Sequence, residues 1–331
     1  MLDYKNEMTN TCYCCGNDKA VTVSYENHMK LPGREVRKLF YTLLGFLYFK
    51  TGAHMLVGPL LPRRIKEQFY KRMIFCKGRI AVCVYCGHGQ EVGKVEPYQV
   101  GLFYSDAYGT GAHVDKAIYS QPDYYLGNSR SIGSFDLINS STDLLKVNTV
   151  LEIGGGPCHI SRYLRQQHSN LLLNVVEPGE PWHECYKSVD ISLVGTDFNH
   201  LINNQLRYDL VIMSHSLEHF ADLHEVADSI FSLIAKNGYL FIEVPHCSDS
   251  YYEIDASDIP HLQFFTEKSL TTLFEKKGMA LLASSVTGAD NSKHVRHVPE
   301  DEDELVRIKE SYEKNIPRNN GTYLRCLFQI K

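Results

Sequence analysis

Two segments of this chain pair cysteines two residues apart with a glycine after the second: Cys12-Tyr13-Cys14-Cys15-Gly16 and Cys83-Val84-Tyr85-Cys86-Gly87. Such a knuckle sets two thiolates on one side of a tight turn, and the glycine relieves the backbone there. Two knuckles give four thiolates, enough for a closed tetrahedral zinc site without an open position, which is a structural site rather than a catalytic one. A redox dithiol would belong beside a strand-helix-strand pattern, and none surrounds these cysteines. The expected ligands are Cys12, Cys15, Cys83 and Cys86. Cys14 competes with Cys15 for one position, and the two-residue spacing favours Cys15. Cys76, Cys185, Cys247 and Cys326 are scattered and read as small buried hydrophobes.

The second chemical signal is Leu151-Glu152-Ile153-Gly154-Gly155-Gly156-Pro157-Cys158. Glycines suit a turn where backbone must approach a ligand closely. A dinucleotide fingerprint G-x-G-x-x-G fails, because the third glycine position counted from Gly154 holds His159. Glu152, two residues before the first glycine, would repel a pyrophosphate but accept a hydrogen bond from an ammonium or hydroxyl. The loop therefore points to a cationic ligand with a ribose. Cys158 reads as a small helix-start residue.

The elements that must position these groups follow from periodicity. Short apolar runs bounded by turn signals predict strands over 147–153, 171–176, 190–194, 208–214, 238–244, 280–287 and 323–330, with helical patterns between several of them. The spacing predicts a helix over 221–236 that stops at Asn237-Gly238. Alternating strands and helices imply an α/β fold with a parallel sheet, whose ligands sit outside the carboxyl ends of the strands. Residues 1–100 form a small N-terminal zinc-binding domain with an apolar helical insertion at about 30–75. An aromatic and Gly-rich linker with a helix occupies 101–145, and the α/β domain takes 146–331. The charged stretch within 289–320 reads as a loop plus an exposed helix.

Composition bounds the partners. Hydrophobic residues are 44%, charged residues 22%, and the formal charge is −5, so no basic footprint for duplex nucleic acid exists. No secretory leader opens the sequence, and a cytoplasmic protein with reduced thiols is expected. The apolar run at 39–61 is interrupted by Lys50, Gly52 and His54. Its uncharged, mostly apolar part, Leu39 to Phe49, covers only eleven residues, too few to span a bilayer, which takes about 20 apolar residues. It reads as a buried or partner-facing helical pair, with an interfacial contact as the alternative.

Four motifs in order resemble a class I S-adenosylmethionine-dependent methyltransferase: Glu152 with Gly154, Gly155 and Gly156; Glu177-Pro178 after the second strand; Thr196-Asp197-Phe198 after the third; and the segment from Asp209 to His219 at the fourth. The resemblance implies a Rossmann-like seven-stranded sheet. It implies that the glycine loop lies under the methionine part of the cofactor, which Glu152 helps orient. Glu177 would hold the ribose hydroxyls, Asp197 and Phe198 would meet the adenine, and Ser214 and His215 would lie near the methionine portion. Together with the four-cysteine domain, the chain is similar to sugar C-methyltransferases acting on nucleotide-linked deoxysugars. Residues 101–108 resemble the aromatic linker that covers their active site. Aromatic side chains commonly line small-molecule sites, and Tyr104, Tyr108, Tyr251 and Tyr252 are candidate acceptor contacts, with core packing as the alternative. Two departures stand out. Those enzymes carry a further C-terminal α/β domain, and their Tyr-x-Glu-His segment is Asp258-Ile259-Pro260-His261 here.

Methyl transfer requires close alignment and, for carbon acceptors, removal of a proton. Histidine is the usual base near neutrality. His261 is the first candidate and His246, directly after the fifth strand, the second; His219 caps or packs. The expected activity is methylation of a small polar metabolite, foremost C-methylation of a sugar or sugar nucleotide. The alternatives are O- or N-methylation of another intermediate, or a scaffold that binds the cofactor without transfer.

Overall fold

A computed structural model describes residues 11–24, 79–91, 100–101, 103–104, 129–247, 261–287 and 323–331. The insertion at about 30–75 with its apolar run at 39–61, Tyr108, Tyr251, Tyr252 and the charged stretch of 289–320 lie outside the described residues. Among those that are described, no helix is long and apolar enough to cross a membrane.

The larger of two sheets has seven strands. They are β4 (Thr149–Ile153), β5 (Leu172–Val176), β6 (Ser192–Gly195), β7 (Tyr208–Ser214), β8 (Ile234–Pro245), β10 (Met279–Thr287) and β11 (Tyr323–Ile330). Their order is β10-β11-β8-β7-β4-β5-β6. Neighbours from β8 to β6 run parallel, while β11 is antiparallel to both β8 and β10. The chain begins this sheet in the middle at β4, winds outward through β5 and β6, then returns to the other side of β4 with β7. The order therefore reverses between β4 and β7, where α/β sheets open a crevice for ligands.

The strands bury both faces with period two. Leu151, Ile153, Val211, Met213, Leu240 and Ile242 pack into one core, which also holds Val226 and Ile230 of α5 (Leu223–Leu233) and Leu270, Leu273 and Phe274 of α6 (Glu267–Glu275). Val150, Leu173, Val175, Leu210, Ile212 and Phe241 face the other way. They meet Ile132 and Ile138 of α1 (Ser129–Ser141), Ile160 and Leu164 of α2 (His159–Gln167), and Tyr186 of α3 (Glu180–Lys187). The short α4 (Asn199–Asn203) follows β6.

The seven strands predicted from periodicity all form, with ends moved by a few residues. The helix predicted over 221–236 is shorter. Asp222 caps it by accepting from the Glu225 amide, 3.0 Å, and it ends at Leu233. Asn237-Gly238 does not terminate a helix. It lies inside β8, where Asn237 takes φ +61° and the register against β7 slips between Tyr208 and Leu210. Ile234 already pairs with Tyr208, so ladder bonding claims the chain before the glycine is reached. The glycine signal thus marks an irregularity within a strand.

The smaller sheet has the order β1-β2-β3-β9, with β1 (Ala20–Ser24), β2 (Arg79–Cys83), β3 (Gly89–Glu91) and β9 (Gln263–Phe264), all antiparallel. Its first three strands carry the cysteine knuckles. The fourth belongs to the segment between β8 and α6, so the N-terminal unit is stitched to the large sheet's own connections.

Candidate functional site

The glycine loop leaves β4 at the reversal point. The Gly154 amide donates to the Val176 carbonyl, 2.8 Å, which ties the loop to the end of β5. Gly154 has φ +68°, and a Cβ there would stand 2.8 Å from the Cβ of Ser216, so neither backbone nor space tolerates a side chain. Gly156 also has a positive φ, +49°, but a Cβ would find its nearest neighbour, Trp182, only at 4.0 Å. Gly155 is closed off by Cys158 Sγ and Val175. Cys158 sits at φ +54° just before α2 and is fully buried, and burial pushes its thiol well above the usual range. It is a structural helix-start residue, not an exposed nucleophile.

Two of the predicted acids are buried beside this loop. Glu152 accepts from the Ser161 amide, 3.3 Å, and from the Ser161 hydroxyl, so it fastens the start of α2 to β4. Glu177 ends β5. Its Oε2 accepts from the Gly156 amide, 2.8 Å, and its Oε1 from the Gly179 amide, 2.6 Å. Burial pushes its carboxyl up to about 7, opposed by those two amide donors. Tyr186 from α3 closes the same corner by donating to the Gly156 carbonyl, 2.5 Å. Pro178 follows Glu177 and leads to Gly179, the residue before α3. The third acid, Asp197, is exposed and accepts from the Asn199 amide, 2.8 Å. Its neighbour Phe198 is buried and packs toward Phe220, with ring centroids 5.9 Å apart.

At the end of β7, Ser214 donates to Glu243 Oε1, 2.9 Å. His215 takes φ +51°, and its amide donates to the Glu243 carbonyl, 2.8 Å. The positive φ turns the chain sharply at the strand end, so that Leu217–His219 forms a short helical turn facing back. Glu218 on this turn is fully buried. Its Oε1 lies 3.3 Å from His215 Nδ1, 3.8 Å from His219 Nε2 and 3.9 Å from His261 Nε2. Burial raises the Glu218 carboxyl, but the facing His219, His215 and His261 outweigh it and hold the group down at about 2. His261 is lowered to about 3, first by burial and then by His219, against the pull of Glu218.

His261 is brought to this cluster by main-chain bonds. The Leu262 amide donates to the Glu218 carbonyl, 2.8 Å. The His219 and His261 rings are 5.1 Å apart, and Tyr104 lies against His219 at 5.2 Å. His246 leads out of β8 and bridges to Phe265. Glu218 and Glu243 were not among the residues singled out from the sequence. The spacing His215-x-x-Glu218-His219 after a strand end was a usable signal for the first. Glu243 looked like one polar residue in an apolar strand.

The four knuckle cysteines converge. Cys12 and Cys86 Sγ are 3.5 Å apart, as are Cys15 and Cys83, and all four lie within 4.8 Å of one another. Four thiolates at about 2.3 Å from a shared ion would be roughly 3.8 Å apart. The two knuckles repeat one geometry: Gly16 donates to the Cys12 carbonyl at 2.8 Å with φ +75°, and Gly87 to the Cys83 carbonyl at 2.9 Å with φ +74°. Cys14 lies outside the foursome and is buried in the core.

Comparison with known proteins bears on the larger sheet. Residues 135–284 match the family model described as a methyltransferase domain. Over 75 residues the chain is 32% identical to the C-methyltransferase NovU of Streptomyces niveus, a match that covers 22% of this chain and 18% of that protein. The mitomycin 7-O-methyltransferase MmcR is similar in structure at 14% identity and TM-score 0.42, covering 61% of this chain and 54% of that one. A protein from Thermotoga maritima described as a possible histamine N-methyltransferase is similar at 15% identity and TM-score 0.45, covering 63% and 92%. The matched stretch runs from α1 into β10 and contains the glycine loop, Glu152, Glu177, Asp197 and the Glu218 cluster. The stretch 135–284 of this chain is thus similar to a methyltransferase domain.

Proposed function

We propose that the chain is an S-adenosylmethionine-dependent methyltransferase for a small polar metabolite, with a sugar or sugar nucleotide as acceptor and carbon as the methylated atom. The observation that carries the cofactor reading is the pairing of a positive-φ glycine loop with buried Glu152 and Glu177 at the sheet's reversal point. When bound, the cofactor supplies a methyl group on a sulfonium, transferred by in-line displacement. Glu177 would accept from the ribose hydroxyls, Asp197 would contact the adenine, and Ser214 and His215 would border the methionine portion. The C-methylation reading is supported by the weak similarity to a C-methyltransferase and by the four-thiolate unit. That unit fits a structural zinc ion held by Cys12, Cys15, Cys83 and Cys86, and it leaves no position for chemistry.

His261 is the proposed base. Burial lowers its pKa, so the imidazole is neutral at neutral pH, and the facing Glu218 carboxylate, 3.9 Å away, would stabilise the proton it takes up. Tyr104, against His219, would flank the acceptor. A carbon acceptor must lose a proton to become a nucleophile, whereas an oxygen or nitrogen acceptor need not exchange any C–H. The test is mass spectrometry of methyl gain with a pool of nucleotide sugars, followed by C–H exchange of the acceptor in heavy water. His261→Ala is expected to abolish exchange while binding of S-adenosylhomocysteine survives. Exchange at the original rate would remove His261 from the mechanism, and methyl gain without exchange in the unsubstituted protein would replace carbon by oxygen or nitrogen.

A further inference from the structure

Glu218 is one of four buried glutamates among the described residues, with Glu152, Glu177 and Glu243. It is fully buried, and its Oε1 faces the imidazole nitrogens of His215, His219 and His261. A buried ionised carboxylate without compensation costs several kcal/mol. Imidazole nitrogens from two separate segments surround it at 3.3–3.9 Å. The two longer separations, to His219 and His261, exceed a hydrogen bond. They are close to the spacing of roughly 3.4 Å between N and O donors that share an ion at about 2.1 Å.

We infer that Glu218, His219 and His261 form a second metal site, taking a divalent transition cation through one carboxylate oxygen and two imidazole nitrogens. The three donor atoms lie within 4.8 Å of one another. Two imidazoles with a carboxylate suit zinc, cobalt, manganese or ferrous ions, whereas the thiolate cluster selects a soft or borderline ion. His215, whose Nδ1 is 3.3 Å from the same carboxylate oxygen, stands on its outer side and orients it. The histidines are 14% and 15% exposed at the side chain, so an ion and a ligand to it can reach them. The segment bearing His261 is pinned to Glu218 through the main-chain bond from Leu262, 2.8 Å, which holds the donors of both segments together.

The consequence rests on the methyl-transfer reading, although the site itself does not. The ion and the acceptor's proton require the same nitrogen lone pair of His261, so metal occupancy and proton removal exclude each other. The site would be an exchangeable, inhibitory one.

Binding separates from activity in the test. Full-length protein with its thiolate cluster filled by zinc is titrated with Co²⁺, following visible absorption and heat. One further saturable Co²⁺ is expected, without the thiolate charge-transfer bands that the cysteine cluster would give. Glu218→Gln and His219→Ala should each weaken it by about 10-fold or more. Acceptor C–H exchange should fall in proportion to the second ion bound and recover with a weak chelator that leaves the thiolate ion in place. No second ion, or equal affinity in both variants, overturns the site. Binding that leaves exchange untouched keeps the ion and overturns the inhibition.

Discussion

Glu177 carries two duties at one carboxyl group. Its oxygens already receive the Gly156 and Gly179 amides, and the proposed role asks them to accept from two ribose hydroxyls as well. Accepting from four donors requires the ionised form. Burial moves its titration from the ordinary 4.5 up to about 7, so ionisation is incomplete near neutrality. Cys158 and Tyr186 lie near it, and burial pushes both well above their usual range, so they stay neutral. S-adenosylhomocysteine should therefore bind more tightly as pH rises from 6 to 8, and calorimetry in Glu177→Gln should show weaker, pH-independent binding. The sign for stability is opposite. Between about 4.5 and 7 the unfolded carboxyl has ionised while the folded one keeps its proton, so this group's contribution to stability falls as pH rises. Glu177 and Glu152 were legible because a lone acid at the end of, or inside, an apolar strand is conspicuous. Glu218 was hidden, because its meaning comes from His261, which lies more than forty positions away in sequence and is joined by tertiary folding alone.

The element that brings His261 into place is β9, and it was not legible either. Two residues of strand leave no periodicity to detect. Its register is set from outside: Gly89 and Gln90 of β3 pair with Phe264 and Gln263, and the Glu91 amide donates to the Leu262 carbonyl, 2.9 Å. Just beyond it, Thr266 caps α6 by accepting from the Ser269 amide and donates its hydroxyl to the Cys86 carbonyl, 2.7 Å. The second knuckle therefore holds both the strand and the helix start that follow His261. By contrast, the large-sheet strands were read from sequence with ends off by up to four residues, since the central ones are near-continuous buried apolar runs. If the thiolate cluster holds zinc, removing it should loosen this segment first. In a Cys83→Ser/Cys86→Ser variant, hydrogen exchange is expected to accelerate at 262–266 while β4 and β5 stay protected. Acceptor C–H exchange should drop, with cofactor binding kept. Uniform acceleration across both sheets would instead make the knuckles a requirement of the whole fold.

At the scale of the molecule, the methyltransferase match ends at residue 284, yet the sheet is completed by β11 at 323–330. β11 lies between β8 and β10, so it is an interior strand supplied by the end of the chain. It brings Arg325, 1% exposed, whose Nε donates to Glu243 Oε2 at 2.7 Å. Ser134 of α1 donates to the same oxygen at 3.0 Å, and Ser214 of β7 to the other at 2.9 Å. One buried carboxylate thus ties α1, β7, β8 and β11 together directly beneath His215, whose Nε2 is 3.6 Å from Glu243 Oε1. Removing one partner of a buried pair leaves the other charge uncompensated, at a cost of about 3–5 kcal/mol. Arg325→Met keeps much of the volume and should show that loss in urea unfolding. Adding Glu243→Gln to it should restore part of the stability, because the neutral amide no longer needs a cation. The same double variant should still bind cofactor less well, since His215 and the turn to Glu218 take their geometry from Glu243. Full recovery of both properties would mean that the pair serves stability alone and that the site's floor is set elsewhere.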